Sequence, residues 1–244
     1  VIIYGHRGAK EEAPENTTEG VEFAFKQGIN RFELDVRLTQ DGKLVVIHDS
    51  SLLRTVGQEK NIYDVDSKQL PQLDARSGGV SWPVPCHIPI LDDLLKSLPE
   101  VKHWQLEVKT DDKKRLNILC NRLIELIHHE KLLDQVVITS SDKWFLKEVR
   151  RRDKKIKTGF VAEKQFSDPI KITHQYGCQF LCLSWKLCTE ALVKKAHAAS
   201  LTVSCWTVNS IHDAVKLKKM GVDSIITDYP TSTSIYFKKS NKTD

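Results

Sequence analysis

The stretch RFELDVRLTQDGKLVVIHD, residues Arg31 to Asp49, reads as a strand, a tight turn and a return strand. Phe32, Leu34 and Val36 alternate with Glu33, Asp35 and Arg37. A period of two turns Glu33 and Asp35 to one face, close together. Asp41-Gly42 is a two-residue hairpin signal. A turn centred there sets Gln40 opposite Lys43 and, in the same register, Asp35 opposite His48. Two carboxylates and an imidazole are then expected to meet on one β scaffold. Adjacent carboxylates repel, and a bound cation relieves that repulsion. The plainer alternative is a surface hairpin with solvated acids, and matching groups elsewhere in the chain speak against it.

Upstream, Val1 to Gly8 is an apolar strand ending in a polar turn. Pro14-Glu15-Asn16-Thr17 opens a helix, with Asn16 and Glu19 spaced as a capping box and Gly28 as the stop. Downstream, residues 50 to 103 are irregular, rich in Pro and Gly, with apolar residues throughout. They read as an excursion above the main domain, closing with a short helix from Leu91 to Leu98. An alternation follows. Strands are expected at Trp104 to Lys109, Val136 to Ser140, Thr158 to Ala162, Phe180 to Trp185, Thr202 to Val208 and Ser224 to Thr227. Helices are expected at Lys113 to Lys131, Lys143 to Arg152, Asp168 to Tyr176, Glu190 to Ala199 and Ile211 to Met220. With the first strand and the outgoing arm of the hairpin, eight strands alternate with helices, which is the pattern of a TIM (β/α)8 barrel. An open doubly wound sheet is the runner-up, but no G-x-G-x-x-G turn occurs. The whole chain, 1 to 244, reads as one barrel domain with its insertion at about 50 to 103. The tail from Lys238 to Asp244 is expected to fray.

Composition narrows the function. A net charge of +5 with scattered Lys and Arg suits an anionic small molecule better than nucleic acid, which calls for a basic stripe. No apolar run reaches membrane-spanning length and no signal-peptide pattern is visible, so stable membrane insertion is not expected. The six cysteines form no C-x-x-C pair and fall largely in apolar runs, which points to buried reduced thiols and a cytoplasmic protein. His174, Cys178 and Cys182 are spaced as zinc ligands but lack a fourth partner nearby.

In such barrels chemistry sits where strands end. His6 and Arg7 follow the first strand, Glu33 and Asp35 lie toward the end of the second, and Glu107 and Lys109 close the third. Trp206 lies near the end of the seventh, either as a rim packing residue or as a substrate contact. Three carboxylates without a cysteine suit one hard cation, Mg2+ or Ca2+. Arg7 and Lys109 suit phosphate oxygens. Two histidines can divide base and acid roles near neutral pH. Asn16 reads as a cap, and Trp185 and Asp228 as structural residues.

His6-Arg7-Gly8, Pro14-Glu15-Asn16-Thr17, Glu33-Leu34-Asp35-Val36, Asp41-Gly42, His48-Asp49, Glu107-Val108-Lys109, Trp206-Thr207-Val208-Asn209 and Ile226-Thr227-Asp228 together resemble the glycerophosphodiester phosphodiesterases. The resemblance covers nearly the whole chain in order. It implies a TIM barrel of the kind shared with phosphatidylinositol-specific phospholipases C. It further implies His6 and His48 as the acid/base pair, Glu33, Asp35 and Glu107 as metal ligands, and Arg7 and Lys109 as phosphate holders. The expected partner is a small glycerophosphodiester, cleaved to sn-glycerol 3-phosphate and an alcohol by water or by the substrate's own hydroxyl. Two rivals stand beside this reading. A lysophospholipase D-type enzyme needs an apolar channel, for which Trp82, Trp185 and Trp206 are candidates. A non-catalytic anion-binding module has no use for three metal carboxylates.

Overall fold

Strand-forming runs in this chain are short, rich in Val, Ile and Leu, and stopped by polar turns, so each must pair to be stable. The computed structural model describes residues 1–164 and 168–240. Eight parallel strands close into a barrel: β1 (Ile2–His6), β2 (Arg31–Leu38), β4 (His103–Val108), β5 (Val136–Ser140), β6 (Lys157–Ala162), β7 (Phe180–Ser184), β8 (Thr202–Trp206) and β9 (Ser224–Thr227). The β1–β2 pairing completes the ring. A ninth strand, β3 (Leu44–Val46), is antiparallel and lies against β2. It takes up the edge of β2 where β1 turns away across the mouth, so β2 is paired along its length.

The helices α1 (Thr18–Lys26), α2 (Leu53–Val56), α3 (Leu91–Ser97), α4 (Lys113–His129), α5 (Lys143–Arg152), α6 (Pro169–Gln175), α7 (Glu190–Ala198), α8 (Ile211–Lys219) and α9 (Pro230–Ser240) supply the outer layer and the excursion. Several begin at a side-chain cap that the sequence provides. Asp112 accepts from Lys114 and Arg115, Asp142 from Phe145, Thr189 from Leu192, and Ser210 from Asp213. Each such cap contributes about 1 kcal/mol. The α4 stripe Leu116, Leu119, Cys120, Leu123 and Ile127 is buried against the barrel. A fully buried aliphatic side chain of this kind stabilises by about 1.5–3 kcal/mol. The excursion has a core of its own: Leu52, Ile62, Val65, Leu70, Leu73 and Ile88 pack on Val45 and Ile47 of the hairpin's return arm. It is therefore fixed to the site rather than hanging from it.

Four expectations need correction. The hairpin register is one residue off: Val36 pairs with Val46 and Leu38 with Leu44, so Asp35 faces Ile47 rather than His48. The loop has three residues, not two, because Thr39 still pairs with Lys43 and Gly42 takes the left-handed conformation (φ +77). That is the three-residue hairpin geometry. Asp41 fixes it by accepting from Thr39 Oγ1 at 2.6 Å and from Ser67 Oγ at 2.7 Å. Second, Thr17 caps α1, accepting from Gly20, and Asn16 does not. Third, Lys238 to Ser240 belong to α9 rather than to a frayed tail, and the rest of that tail lies outside the described residues. Fourth, β7, the sixth strand of the barrel, stops at Ser184, where Trp185–Leu187 turns as a short 3-10 helix. Among the described residues no helix is long and apolar enough to cross a membrane. All six cysteines are buried and unpaired by disulfides.

Candidate active site

Two rungs of the parallel sheet build the site. In the deeper rung His6 lies beside Glu33, and Glu33 beside Gln105. In the next, toward the mouth, Asp35 lies beside Glu107 and Glu107 beside Thr139. Residues in register on neighbouring strands point the same way, so these side chains share the barrel interior. One oxygen from each of Glu33, Asp35 and Glu107 falls within 4.8 Å of the others. Among the described residues this is the group of three or more His, Cys, Asp or Glu side chains close enough to hold an ion, and His174, Cys178 and Cys182 form no such group.

Cations stand around the trio. Lys109 Nζ lies 2.8 Å from Asp35 Oδ1 and 2.7 Å from Glu107 Oε1. Arg7 Nε lies 3.2 Å from Asp35 Oδ2, while the Arg7 backbone N–H donates to Glu33 Oε2 at 3.3 Å. Arg7 and Asn16 both adopt positive φ, +50 and +53. For residues with a Cβ that conformation costs about 1–2 kcal/mol, and such strain gathers at functional sites. Here it lets the turn after β1 fold back over β2. Asn16 then donates to Asp35 Oδ2 at 2.8 Å and accepts from the Asp35 backbone N–H at 3.2 Å.

These neighbours split the carboxylates electrostatically. Burial, with Asp35 and Glu107 beside it, pushes Glu33 well above the ordinary glutamate range. Burial also raises Glu107, against the pull of Lys109. It acts on Asp35 too, but Lys109 and Arg7 outweigh it and hold that carboxyl below its usual range. Lys109 is raised in turn, because Asp35 and Glu107 outweigh its own desolvation. Glu33 Oε1 is buried with no hydrogen-bond partner among the described residues. Leaving such a group unpaired costs upward of about 1–3 kcal/mol. A buried, partnerless carboxylate oxygen facing two further carboxylates, with no sulfur or nitrogen donor in the trio, fits a hard divalent cation.

Each histidine is held by a carboxylate. His6 Nδ1 donates to Asp228 Oδ1 at 2.5 Å, and its Nε2 lies 3.8 Å from Glu33 Oε2. Asp228 is fixed by Asn209, which donates to Oδ2 at 2.6 Å. Burial works against its charge, but the bond from His6 prevails and keeps its carboxyl below the usual range. His48 Nδ1 donates to Asp49 Oδ1 at 2.6 Å, and its backbone carbonyl accepts from Arg37 Nε at 2.8 Å. Burial lowers His48 below the ordinary imidazole value, only partly offset by Asp35. The carboxylate on each Nδ1 leaves Nε2 for chemistry.

His6, Arg7, Glu33, His48, Glu107, Lys109 and Trp206 line one cavity of about 190 Å³ at the barrel mouth. Asp35 is not part of that lining and is held by Arg7 and Lys109, which are. Every residue expected at the site thus comes to one place, although His48 arrives beyond the end of the β3 ladder rather than through it. Three residues read as bland or passed over belong here: Asp228, Asn16 and Glu15. The register Gly5 to Thr227 on adjacent strands, carried one step further, sets Asp228 beside His6, a neighbourhood that only the closed barrel creates. Of the three tryptophans suggested for an apolar channel, Trp206 lines the cavity, whereas Trp82 packs on Phe23 and Trp185 on the outer core.

Comparison with known proteins agrees with this geometry. The model of the glycerophosphoryl diester phosphodiesterase family matches residues 6–232. A glycerophosphodiester phosphodiesterase of Caldanaerobacter subterraneus subsp. tengcongensis is 28% identical over 94% of this chain and 94% of its own. A provisionally named glycerophosphoryl diester phosphodiesterase of Silicibacter pomeroyi superimposes with a TM-score of 0.88 at 26% identity, covering 96% of this chain and 91% of that one. An Oleispira antarctica phosphodiesterase, solved with the product sn-glycerol-3-phosphate, shares the fold at a TM-score of 0.87 and 24% identity, over 98% and 97% of the two chains. The barrel, the motifs along it and a match over nearly its full length agree, and the chain belongs to the glycerophosphoryl diester phosphodiesterase family.

Proposed function

We propose that this protein is a metal-dependent phosphodiesterase that splits glycerophosphodiesters into sn-glycerol 3-phosphate and an alcohol. The observation that carries the reading is the acidic trio, with its partnerless Glu33 oxygen, at a cavity lined also by two carboxylate-held imidazoles. Glu33, Asp35 and Glu107 would hold Mg2+ or Ca2+ through hard oxygen donors. When bound, the ion supplies Lewis-acid polarisation of a phosphoryl oxygen. Arg7 and Lys109, which line the cavity, bind the remaining phosphate oxygens, Arg7 through the guanidinium N–H groups that Asp35 and Glu15 leave open and Lys109 as a point charge. Trp206 forms part of the wall against the substrate. Its indole N–H donates to the Cys182 carbonyl at 3.3 Å, which fixes the ring.

His48, kept neutral by burial, accepts the proton of the attacking hydroxyl at Nε2. His6 gives a proton from Nε2 to the leaving alkoxide, with Asp228 supporting the imidazolium before transfer. A small polar diester suits the cavity better than a lysophospholipid. Among the described residues its lining is mostly charged and polar, with Val161, Trp206 and Ile226 as the apolar members.

The test is product identity. Glycerophosphocholine incubated with the protein and Mg2+ should give sn-glycerol 3-phosphate and choline in equal amounts, read by a glycerol-3-phosphate dehydrogenase couple. Phosphocholine and glycerol instead would put the cut on the other ester bond and overturn the assignment.

A further inference from the structure

We propose that Arg54, supplied by the excursion after the hairpin, is a positioning residue that locks the phosphate-holding arginine and the His48 imidazole into one rigid unit. The inference rests on the catalytic reading above for its kinetic arm. Arg54 Nη1 and Nη2 donate to Glu15 Oε2 and Oε1 at 2.7 and 2.8 Å, a two-bond fork. The third nitrogen, Nε, donates to Asp49 Oδ2 at 2.6 Å. Glu15 Oε1 in turn accepts from Arg7 Nη1 at 3.0 Å, and Asp49 Oδ1 accepts from His48 Nδ1. One guanidinium thereby joins the turn after β1 to the segment after β3.

An exposed ion pair is usually worth little, and Arg54 is 40% exposed. Two features set this one apart. The carboxylate it forks, Glu15, is only 9% exposed and is shared with Arg7, so its second oxygen has work to do at the site. The backbone that carries Arg54 is also fixed. Leu52, two residues before it, and Thr55, next to it, are buried, and Gly57 closes the short helix in the left-handed conformation (φ +76). The planar guanidinium makes two parallel bonds to Glu15 while its Nε–H reaches Asp49, a three-bond geometry that the single point charge of an ammonium does not reproduce. Asp49, oriented by Arg54, keeps the His48 proton on Nδ1 and so leaves Nε2 as the acceptor.

The two arms predict separable effects. Glu15→Gln should act through Arg7 and raise KM. Asp49→Asn should act through His48 and lower kcat. Arg54→Ala should do both, with kcat down by about 10–100-fold, the usual scale for losing a partner that orients a functional side chain. Adding Asp49→Asn to Arg54→Ala should lower kcat little further, since both break the same arm. Arg54→Lys should fall short of wild type, and added guanidinium salt should restore part of the Arg54→Ala loss. Nitrogen-15 NMR of the His48 ring gives a readout that does not need turnover. The Nδ1–H tautomer should dominate in wild type and give way to a mixture in Arg54→Ala. If Arg54→Ala does not fold, Arg54→Lys and Asp49→Asn carry the same two readouts. A wild-type protein with no phosphodiesterase activity would refute the functional reading and leave the NMR arm to decide on Arg54. Unchanged kcat, KM and His48 tautomer in the arginine variants would make Arg54 a bystander and overturn the proposal.

Discussion

His6 and His48 reach the cavity from different loops, and the groups around them differ. His6 faces Asp228 and Glu33, whereas His48 faces Asp49, with Arg7 and Lys109 near enough to disfavour its charge. That asymmetry is what an acid and a base require in the same catalytic state. His6→Ala and His48→Ala are each expected to lose about 10²–10⁴-fold in rate. The double variant should lose less than the product of the two, because the pair acts as one unit. Steady-state kinetics with a check of folding by circular dichroism reads this out, and wild-type kcat in either single variant would remove that histidine from the chemistry. Residue identities at the site were readable from the sequence because chemistry-bearing side chains recur at strand ends. Asp228 and Asn16 were misread for a physical reason. Their roles are hydrogen bonds to residues 222 and 19 positions away, and no local pattern carries that information.

At the scale of elements the hairpin is instructive. Alternation identified the strand and the inward face of Glu33 and Asp35, yet the turn dipeptide misjudged the loop by one residue. Asp41 is drawn into bonds with Thr39 and with Ser67 of the excursion, a tertiary contact that decides between two-residue and three-residue turns. Gly42 then carries the left-handed position (φ +77), where a Cβ would also come within 3.3 Å of the Arg122 guanidinium. Gly42→Ala should therefore cost about 1–2 kcal/mol of stability, chiefly backbone strain, since the arginine tip can move aside. Urea titration measures it, and an unchanged midpoint would mean the turn re-forms in another geometry. Helices α4 to α8 were legible to within a residue or two because their caps and apolar stripes are local signals, whereas α9 was not read. Of the excursion, its extent and its closing helix Leu91–Ser97 were legible, but its internal packing was not, because that core forms against Val45 and Ile47 of the hairpin.

For the whole molecule, the barrel gathers three carboxyl groups at its mouth, and that has a consequence for stability. Glu33 and Glu107 titrate higher in the folded protein than in the unfolded chain. Between the two values the native state binds more protons, so these groups withdraw stability as pH rises. Asp35 works oppositely: its lowered pKa adds stability above the unfolded value, lost as pH falls toward the native one. A divalent ion needs the deprotonated trio, and its binding releases those protons. The gain in Tm on adding Mg2+ or Ca2+ should consequently grow as pH rises from mildly acidic toward alkaline. Scanning calorimetry at several pH values tests it, and a gain independent of pH would contradict the assigned proton linkage.

The most direct test of the central claim, an acidic trio that holds an ion for phosphodiester cleavage, is phosphorus-31 NMR of glycerophosphocholine with the metal-stripped protein before and after Mg2+ or Ca2+ is restored. The expected spectrum shows intact diester in the stripped sample and sn-glycerol 3-phosphate on restoration, with Glu33→Gln silent in both. Full turnover by the stripped protein, or by Glu33→Gln, would contradict it.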